Sequence, residues 1–369
     1  MSTKEHSNKA TFTNQKTFSA QELEQSIQSG LAFDGQPAQV FTLINSNNMS
    51  VSIMDIGATW VSCILPLDNQ PREVLLGMTK IEDYASHTAF LGAIVGRFAN
   101  RINCGQFVIN QQHYQLTVND GENTLHGGDD GFDKRRWTVK EHSNNHVVFC
   151  LQSGDGDQGF PGNLSVEVVY TLTECNQVCI EYSALCDQDC PINLTNHAYF
   201  NLDGAESNQA ILDHTLWLKS SYYAATDKNL LPTGELTSVK NTSFDFNQAE
   251  PIGARLLEDT DQKIAKGYDH AFTFDLQDCD GITPVAELTS SDKKVTMSVL
   301  TDKPAIQFYS GNFLAGTPSR NGTYNDYQGV ALETQFLPDA PNQNWPEGNK
   351  AFIAKKSFYQ YQTSYQFSF

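Results

Sequence analysis

The chain has 369 residues, with 43 acidic and 24 basic side chains, which gives a formal net charge of −19. A field of this sign repels phosphate backbones and anionic head groups, so it excludes nucleic acid and membrane surfaces as expected partners and favours a neutral substrate. Hydrophobic residues make up 39% of the chain, including 22 Phe and 14 Tyr. This is enough for a large core and argues against disorder of the bulk of the chain.

The N-terminal region predicts a polar tail followed by one helix. Residues 1–16 contain no apolar stretch of the kind that a secretory signal requires, and we expect them to be flexible. Ser19 and Glu22 fit a capping box, apolar residues follow at helical spacing, and Gly30 is a stop signal. A second short helix is expected near Lys80–Ser86.

The longest apolar run lies around Ala89–Val95 and is far shorter than the ~20 residues that span a bilayer. We therefore expect a cytoplasmic protein whose eight cysteines are reduced. Cys175/Cys179 and Cys186/Cys190 leave two interpretations open, a four-thiolate zinc site or small apolar residues on strands. Zinc knuckles usually place two residues between their cysteines in a tight turn, so the strand interpretation is favoured. No metal or cofactor is expected.

Strand patterns dominate the rest of the chain. Short segments rich in β-branched and aromatic residues are separated by Gly, Asn or Asp, namely VFTLINSNNMSVSIMDIG, HYQLTV, HVVFCLQS, LSVEVVYTLT, VCIEYSAL, LDHTLWLKS, KVTMSVLTD and AIQFYSG. Their even spacing predicts an antiparallel all-β fold, a sandwich or a barrel, with a few short helices. We expect an N-terminal extension over residues 1–34, containing the capped helix, and a single β-domain over residues 35–369.

One predicted strand, PINLTNHAYFNLDG, has two unlike faces. One face is apolar except for Asn196, and the other carries Asn193, Thr195, His197, Tyr199 and Asn201. Neutral hydrogen-bonding groups beside an aromatic ring suit a carbohydrate groove. A solvated outer face would show the same pattern, so the strand alone leaves both interpretations open.

Two further strands carry polar groups at alternate positions. Glu333, in GVALETQFLPDAPNQ, lies in mid-strand beside Ala331. If it is partly buried, its pKa is raised and it can act as a base near neutral pH, whereas an exposed strand glutamate is the alternative. In AIQFYSGNF, Gln307 and Tyr309 share the polar face.

Three loops complete the set of candidate residues. GRFANRI carries Asn100 and Arg101, NTLHGGDDGFDKRRW carries His126 before two glycines, and GYDHAF carries Asp269 and His270. The glycines allow close backbone approach. A histidine in such a loop is, taken alone, more often structural than catalytic. The chain lacks a Gly-rich phosphate loop, an HExxH motif, a GxSxG elbow and a dinucleotide fingerprint, which disfavours hydride transfer, phosphoryl transfer and serine hydrolysis.

Taken together, these segments resemble the aldose 1-epimerase (galactose mutarotase) family. The resemblance rests on GRFANRI, NTLHGGDDGFDKRRW, NLTNHAYFNLDG, PTGEL, GYDHAF, QFYSGNF and GVALETQFLPDAPNQ, which follow one another in the family's order. It covers roughly residues 35–369 and implies a large antiparallel β-sandwich of the galactose mutarotase-like type. About thirty residues precede the family-like region and have no assigned role.

The resemblance also implies roles for individual residues. Glu333 corresponds to the general base and His197 to the general acid. The remaining matched positions correspond to residues that bind the sugar. His126 contacts the sugar near the reacting oxygen, and its hydroxyls are bound by Arg101, Asp269, Gln307 and Asn100. The implied partner is a neutral aldose, no cofactor is required, and the protein is expected to be a monomer or a homodimer.

The implied reaction interconverts the α and β anomers of free aldohexoses such as D-galactose and D-glucose, as part of hexose metabolism. The cyclic hemiacetal opens when the anomeric hydroxyl loses a proton and the ring oxygen gains one, and it closes again on the other carbonyl face. A carboxylate and an imidazolium on opposite sides of the ring can perform both transfers.

Two other functions are compatible with the sequence. A phosphosugar epimerase would need a cationic pocket, for which Arg97, Arg135 and Arg136 are available. A non-catalytic sugar-binding module would keep the groove without needing Glu333 or His197.

Overall fold

The computed structural model describes residues 19–67, 70–346, 348–349 and 351–369, so the expected tail over residues 1–16 lies outside the described residues. Within them are three α-helices, α1 (Ala20–Gln28), α2 (Ile81–Ser86) and α3 (Thr260–Ala265). Single 3-10 turns occur at Asn103–Gly105, Phe132–Lys134, Asp157–Gly159, Ile211–Asp213, Ile252–Arg255 and Leu276–Asp278. No helix of this described part is long and apolar enough to cross a bilayer.

Strands make up most of the regular structure. In the first half of the chain they are β1 (Val40–Ile44), β2 (Ser50–Met54), β3 (Thr59–Leu67), β4 (Gln70–Glu73), β5 (Ile94–Val95), β6 (Arg101–Ile102), β7 (Gln106–Ile109), β8 (Gln112–Gln115), β9 (Thr124–Leu125), β10 (Thr138–His142), β11 (His146–Ser153), β12 (Leu164–Leu172) and β13 (Gln177–Cys186). In the second half they are β14 (Cys190–Pro191), β15 (Thr195–Asn196), β16 (Tyr199–Phe200), β17 (Thr215–Leu218), β18 (Tyr222–Thr226), β19 (Pro232–Ser238), β20 (Glu250–Pro251), β21 (Asp269–Thr273), β22 (Pro284–Thr289), β23 (Thr296–Thr301), β24 (Ala305–Tyr309), β25 (Pro318–Ser319), β26 (Gly322–Thr323), β27 (Val330–Gln335), β28 (Phe352–Ile353) and β29 (Phe358–Ser368).

Three sheets form the body of the β-sandwich. The largest has nine strands in the order β10-β11-β12-β13-β29-β23-β22-β17-β20, the second has six in the order β16-β27-β24-β21-β18-β19, and the third has four in the order β1-β2-β3-β4. Their ladders are antiparallel. Every predicted strand segment contains a strand, and the predicted all-β sandwich is confirmed.

One continuous core joins the sheets. Trp60 of the four-stranded sheet contacts Phe200 of the six-stranded sheet and Tyr365 of the nine-stranded sheet, with ring centroids 5.7 Å apart in both pairs. Strand β12 alternates buried and more exposed positions, because only one of its faces meets this core. Strand β27 is buried at all six positions, because its second face is also covered.

Both predicted helices are present. The Ser19 hydroxyl accepts a hydrogen bond from the Glu22 amide at 3.2 Å, and the Glu22 carboxylate accepts one from the Ser19 amide at 2.9 Å, which completes the capping box. Leu23 and Ile27 of α1 are buried against the outside of the four-stranded sheet. Helix α2 occupies the second predicted position. Helix α3 was not predicted, because its six residues are too few to show helical periodicity.

The segment PINLTNHAYFNLDG is not one strand, which corrects the sequence-based prediction. It forms three two-residue strands that pair with different partners, β14 with β28, β15 with β5 and β16 with β27. Its polar side chains interrupt the ladder because they bond distant backbone. Asn193 donates to the carbonyls of Ala99 and Phe336, and Thr195 donates to that of Thr334.

A buried lysine lies beneath this broken segment. The Lys303 ammonium donates to the Leu194 carbonyl at 2.6 Å and to the Thr334 carbonyl at 3.3 Å, and it lies 3.8 Å from the centroid of the Tyr182 ring. It therefore joins the segment that leads to His197 with the strand that carries Glu333. Burial lowers the pKa of Lys303 to about 7.

We expect the Lys303→Met variant to lose a pH-dependent contribution to stability. Between the folded pKa of about 7 and the unfolded value of about 10.4, the unfolded chain holds the proton and the folded chain releases it. The wild type should therefore gain stability relative to the variant as the pH rises through this window, by up to about 1.4 kcal/mol per pH unit. Urea unfolding of both proteins from pH 6 to 10 measures this. A difference that stays constant over the range would contradict it.

Candidate active site

The register of the six-stranded sheet brings several predicted site residues to one face. Gln307 of β24 lies directly opposite Glu333 of β27, and Asp269 of β21 lies opposite Tyr309 of β24. Residues directly opposite each other in an antiparallel pair project to the same face, and so do residues two apart on one strand. Tyr199 of β16, opposite Ala331, extends this face.

Above this face is a cavity of about 210 Å³. All seven predicted site residues line it, namely Asn100, Arg101, His126, His197, Asp269, Gln307 and Glu333. Its volume is smaller than the roughly 300–1,000 Å³ of sites for drug-sized ligands, and a pocket of this size suits a single sugar ring.

Two histidines reach the cavity from segments outside the regular strands. His197 lies between β15 and β16, where its amide donates to the Ala93 carbonyl and its own carbonyl accepts from the Gly92 amide, both at 2.9 Å. His126 follows β9 with a φ of 51°, in the left-handed region that non-glycine residues rarely occupy. Backbone hydrogen bonds on both sides therefore fix the position of His197, and the His126 amide donates to the Asn100 carbonyl at 3.2 Å.

The acid–base candidates are in direct contact. The His197 Nε2 atom lies 3.5 Å from a Glu333 carboxylate oxygen, and both side chains are almost fully buried. The other oxygen of Glu333 and the Nδ1 atom of His197 have no hydrogen-bond partner in the described part of the chain. The contact therefore leaves one buried polar atom of each group without a hydrogen-bond partner in the described chain.

Burial sets the protonation of this pair. Loss of solvation, with a smaller contribution from the charge of Asp269, raises the pKa of Glu333 well above its usual range. Loss of solvation also lowers the pKa of His197 to about 3. Both shifts disfavour the charged form. Burial therefore favours a neutral carboxylic acid beside a neutral imidazole over a carboxylate beside an imidazolium, and in either arrangement the pair shares one titratable proton.

His126 is oriented as a hydrogen-bond donor. Its Nδ1 atom lies 3.2 Å from the Asn100 amide nitrogen, and because a backbone N–H can only donate, Nδ1 must accept. Burial, with smaller contributions from the neighbouring His197 and Arg101, lowers the pKa of His126 well below its usual value, so the ring is neutral. A neutral imidazole that accepts at Nδ1 carries its proton on Nε2.

His126, His197 and Glu333 also lie close enough together to be considered as a metal site. Ligand atoms of His126, His197 and Glu333 all lie within 4.8 Å of one another, and two histidines with one glutamate are a known zinc ligand set. However, a histidine ligand usually donates from its second ring nitrogen, whereas the second nitrogen of His126 accepts from Asn100. To bind a cation, His126 would have to give up this hydrogen bond. The observed arrangement fits donation to a ligand oxygen better.

A group of hydrogen-bonding side chains faces the acid–base pair. Gln307 donates to Asp269 at 2.6 Å, and the Gln307 carbonyl oxygen has no partner in the described part of the chain. Burial raises the pKa of Asp269, and the Arg101 guanidinium partly offsets the increase. Arg101 is held at 2.8 Å by Asp120. These acceptors and donors are suited to binding neutral hydroxyl groups.

Aromatic rings form the walls of the cavity, and Phe90 among them was missed by the sequence analysis. The ring of Phe90 stacks on that of His197 at 5.9 Å and lies 4.6 Å from that of His126, while Tyr199 stacks on the other side of His197 at 4.9 Å. No sequence motif indicates Phe90 as a site residue, because the orientation of its side chain depends on a backbone φ of 54°. Phe313 also lines the cavity and could have been noticed within QFYSGNF.

Several candidates lie elsewhere. His270 is buried on the opposite face of β21, against Tyr223 and Phe244. Asn193, Thr195 and Asn201 bind backbone carbonyls and do not line the cavity, so the predicted polar face contributes only two residues, His197 and Tyr199, to it.

The cysteines do not form the four-thiolate cluster that the sequence left open. Cys179 and Cys186 lie seven positions apart along β13, or about 23 Å at the rise of about 3.3 Å per residue. In the described residues Cys186 and Cys190 are buried near Arg97, while Cys175 is exposed, and all are free thiols.

The three arginines considered for a phosphate site do not line the cavity. Arg97 is buried and donates to the carbonyls of Ser153, Gly154 and Pro161. Arg135 pairs with Asp157, and Arg136 pairs with Asp34 and Asp55. Arg101 is the one lysine or arginine among the lining residues of the described chain.

Comparison with known proteins gives matches over most of the chain. A family model described as aldose 1-epimerase matches residues 39–366. A protein named aldose 1-epimerase from Haemophilus influenzae is 48% identical over 336 residues, which cover 90% of this chain and 97% of that protein. A galactose mutarotase from Bos taurus is 37% identical over 329 residues, which cover 88% of this chain and 93% of that protein. The crystal structure of a galactose 1-epimerase from Lactobacillus acidophilus superposes with a TM-score of 0.79 at 29% identity, covering 91% of this chain and 96% of that one.

Proposed function

Because the chain belongs to the aldose 1-epimerase family, and is thus an isomerase, we propose that it interconverts the α and β anomers of free D-galactose and D-glucose in hexose metabolism. The observation that carries this proposal is the contact at 3.5 Å between Glu333 and His197 in a buried, ring-sized cavity. The names of the similar proteins support galactose as one substrate.

In the proposed reaction Glu333 is the base and His197 is the acid. Glu333 takes the proton of the anomeric hydroxyl while His197 Nε2 gives a proton to the ring oxygen. The bond between C1 and the ring oxygen then breaks, and a carbonyl forms at C1. Rotation about the bond between C1 and C2 presents the other carbonyl face, and both transfers run in reverse to close the ring.

The two groups lie side by side, which differs from the expectation that they would flank the ring from opposite sides. The adjacent placement suits the chemistry, because the anomeric oxygen and the ring oxygen are both bonded to C1. A base and an acid 3.5 Å apart can each contact one of these neighbouring oxygens.

The single proton of the pair is sufficient for the cycle. Opening starts with the proton on His197 and ends with a proton on Glu333, and closure restores the first arrangement. Burial favours the neutral arrangement in the empty site. Hydrogen bonds from sugar hydroxyls to the Glu333 carboxylate would lower the free energy of the charged arrangement.

The other lining residues are proposed to hold the sugar. His126 Nε2 donates to an oxygen close to C1, and Asp269, Gln307, Arg101 and Asn100 bind the remaining hydroxyls. During ring opening these contacts would keep the open-chain sugar in place, so that only its C1 aldehyde group rotates.

Polarimetry on freshly dissolved sugars tests the proposed substrates. We expect purified protein to accelerate the change of optical rotation of α-D-galactose and α-D-glucose at nanomolar to micromolar concentration. Glucose 6-phosphate should be a poor competitor, because the cavity offers only Arg101, already paired with Asp120, to its phosphate. A rate equal to that of the buffer for both sugars would contradict the proposal, and strong competition by the phosphosugar would favour the phosphosugar epimerase.

We expect the Glu333→Gln variant to bind galactose but to lose at least a hundredfold in kcat, since a positioned base contributes about 10²–10⁴-fold. Polarimetry gives kcat, and calorimetry gives the galactose affinity. Glu258→Gln, which changes an exposed glutamate outside the cavity, is the matched control and should keep full activity. Full activity of Glu333→Gln would remove Glu333 from the base role.

The pH dependence of kcat/KM should reflect the buried pair. A second proton on the Glu333–His197 pair would leave it without a proton acceptor. This proton binds only near the lowered His197 pKa of about 3. We therefore expect kcat/KM to stay level from pH 7 down to pH 5, after subtraction of the buffer rate, and to fall at alkaline pH when the pair loses its only proton. A decline with an apparent pKa near the usual histidine value of about 6.5 would contradict this protonation scheme.

A further inference from the structure

Phe90 is a wall residue of the sugar pocket to which the proposed reaction assigns no role. Its ring lies nearly parallel to the imidazole of His197, with an interplanar angle of 19° and centroids 5.9 Å apart. The ring of Tyr199 stacks on the same imidazole at 4.9 Å and 26°. The imidazole of His197 is therefore enclosed between two aromatic faces.

No hydrogen bond at the second ring nitrogen orients His197. In most catalytic histidines this nitrogen is bonded to a carboxylate or a carbonyl, which sets the position of the ring. The Nδ1 atom of His197 has no such partner in the described part of the chain. Its Nε2 atom lies 3.5 Å from Glu333, which is longer than the usual hydrogen bond of about 2.7–3.2 Å. The plane of the imidazole therefore depends on its packing between Phe90 and Tyr199.

The backbone connects the loop of Phe90 to the segment of His197. The Gly92 amide donates to the His197 carbonyl and the His197 amide donates to the Ala93 carbonyl, both at 2.9 Å, while the Ala93 amide donates to the Phe90 carbonyl at 3.0 Å. Phe90 has a φ of 54°, a conformation that bulky residues rarely adopt and that clusters at active sites. The loop therefore places the Phe90 ring at a fixed position relative to His197.

Phe90 also lines a second cavity, which is mainly apolar and measures about 240 Å³. Phe33 and Ala85 line this second cavity and are exposed, so it is open to solvent. Because Phe90 lines both cavities, its ring separates the second cavity from the sugar pocket. Removal of the ring would join the two cavities and give water a path to His197 that a bound sugar does not block.

The protonation of His197 is sensitive to such water. The titratable groups around its ring are Glu333 on β27, His126 after β9 and His87 in the loop before Phe90. Loss of solvation lowers the pKa of His197 to about 3, and His87 adds a smaller lowering. Water admitted at Phe90 would restore solvation and raise this pKa toward its usual value of about 6.5.

We propose that Phe90 is a positioning residue, whose ring fixes the plane of the His197 imidazole and keeps the water of the second cavity out of the sugar pocket. This inference rests on the proposed function, because it gives Phe90 a role in the proton transfer by His197. Orientation of the acid affects the chemical step more than the binding of the sugar. Loss of the ring should therefore lower kcat and leave KM nearly unchanged.

Polarimetry on α-D-galactose tests the positioning role. Phe90→Leu keeps a bulky apolar side chain without a flat ring, and we expect its kcat to fall at least tenfold while KM stays within about threefold of the wild type. Phe90→Tyr keeps the ring and should retain kcat within about threefold. Phe33→Ala removes an exposed ring that lines only the second cavity, and this matched control should leave kcat and KM unchanged.

The pH profile tests the exclusion of water. In Phe90→Ala we expect kcat/KM to decline below about pH 6, because a solvated imidazole takes a second proton near its usual pKa of about 6.5, whereas the wild type and Phe90→Leu stay level down to about pH 5. The ring-proton NMR signal of His197, assigned by its loss in His197→Gln, follows the same titration without using activity. It should shift between about pH 5 and 7 in Phe90→Ala and stay constant in the wild type.

The outcomes that contradict this inference differ from those that contradict the proposed function. Full kcat of Phe90→Leu, or a higher KM at unchanged kcat, would overturn the positioning role, because the ring would then serve only as a surface for the sugar. A level pH profile and a constant His197 signal in Phe90→Ala would overturn the exclusion of water. In each of these cases the wild type remains active. A wild type with only the buffer rate would contradict the proposed function itself, and this inference with it.

Discussion

The proposed chemistry depends on one contact, that between the buried side chains of Glu333 and His197. A carboxyl group and an imidazole both lose solvation there, and each keeps a polar atom without a partner in the described chain. Such an arrangement is unfavourable in isolation. It persists because the backbone on both sides fixes where the two side chains must lie.

The fold provides this constraint in two ways. Regular strands place Glu333 and Gln307 opposite each other, so their relative position follows from the β24–β27 register. His197 does not lie in such a ladder. Its segment is held by the side chains of Asn193, Thr195 and Lys303, each of which donates to a backbone carbonyl distant in sequence. Two of these bonds end on Thr334, the residue after Glu333. These polar groups therefore connect the segment that carries His197 with the strand that carries Glu333.

Much of the framework could be predicted from local pattern. The capping box of α1 and the alternation of β12 are decided by neighbouring residues, and both are present. The polar segment around His197 could not be resolved in this way. Thr195 and His197 stand two residues apart and share a predicted face, yet one binds the Thr334 carbonyl and the other lines the cavity. That difference depends on strands more than a hundred residues away. The position of Phe90 likewise depends on a backbone angle that no pattern encodes.

The most direct test of this account is a crystal structure of the Glu333→Gln variant with D-galactose. The account predicts that the anomeric oxygen lies within about 2.6–3.2 Å of the side chain at position 333, with the ring oxygen at the same distance from His197 Nε2. The hydroxyls farther from C1 should then contact Asp269 and Gln307. A sugar bound with C1 turned toward the rim, or with His197 on a hydroxyl remote from C1, would contradict the account.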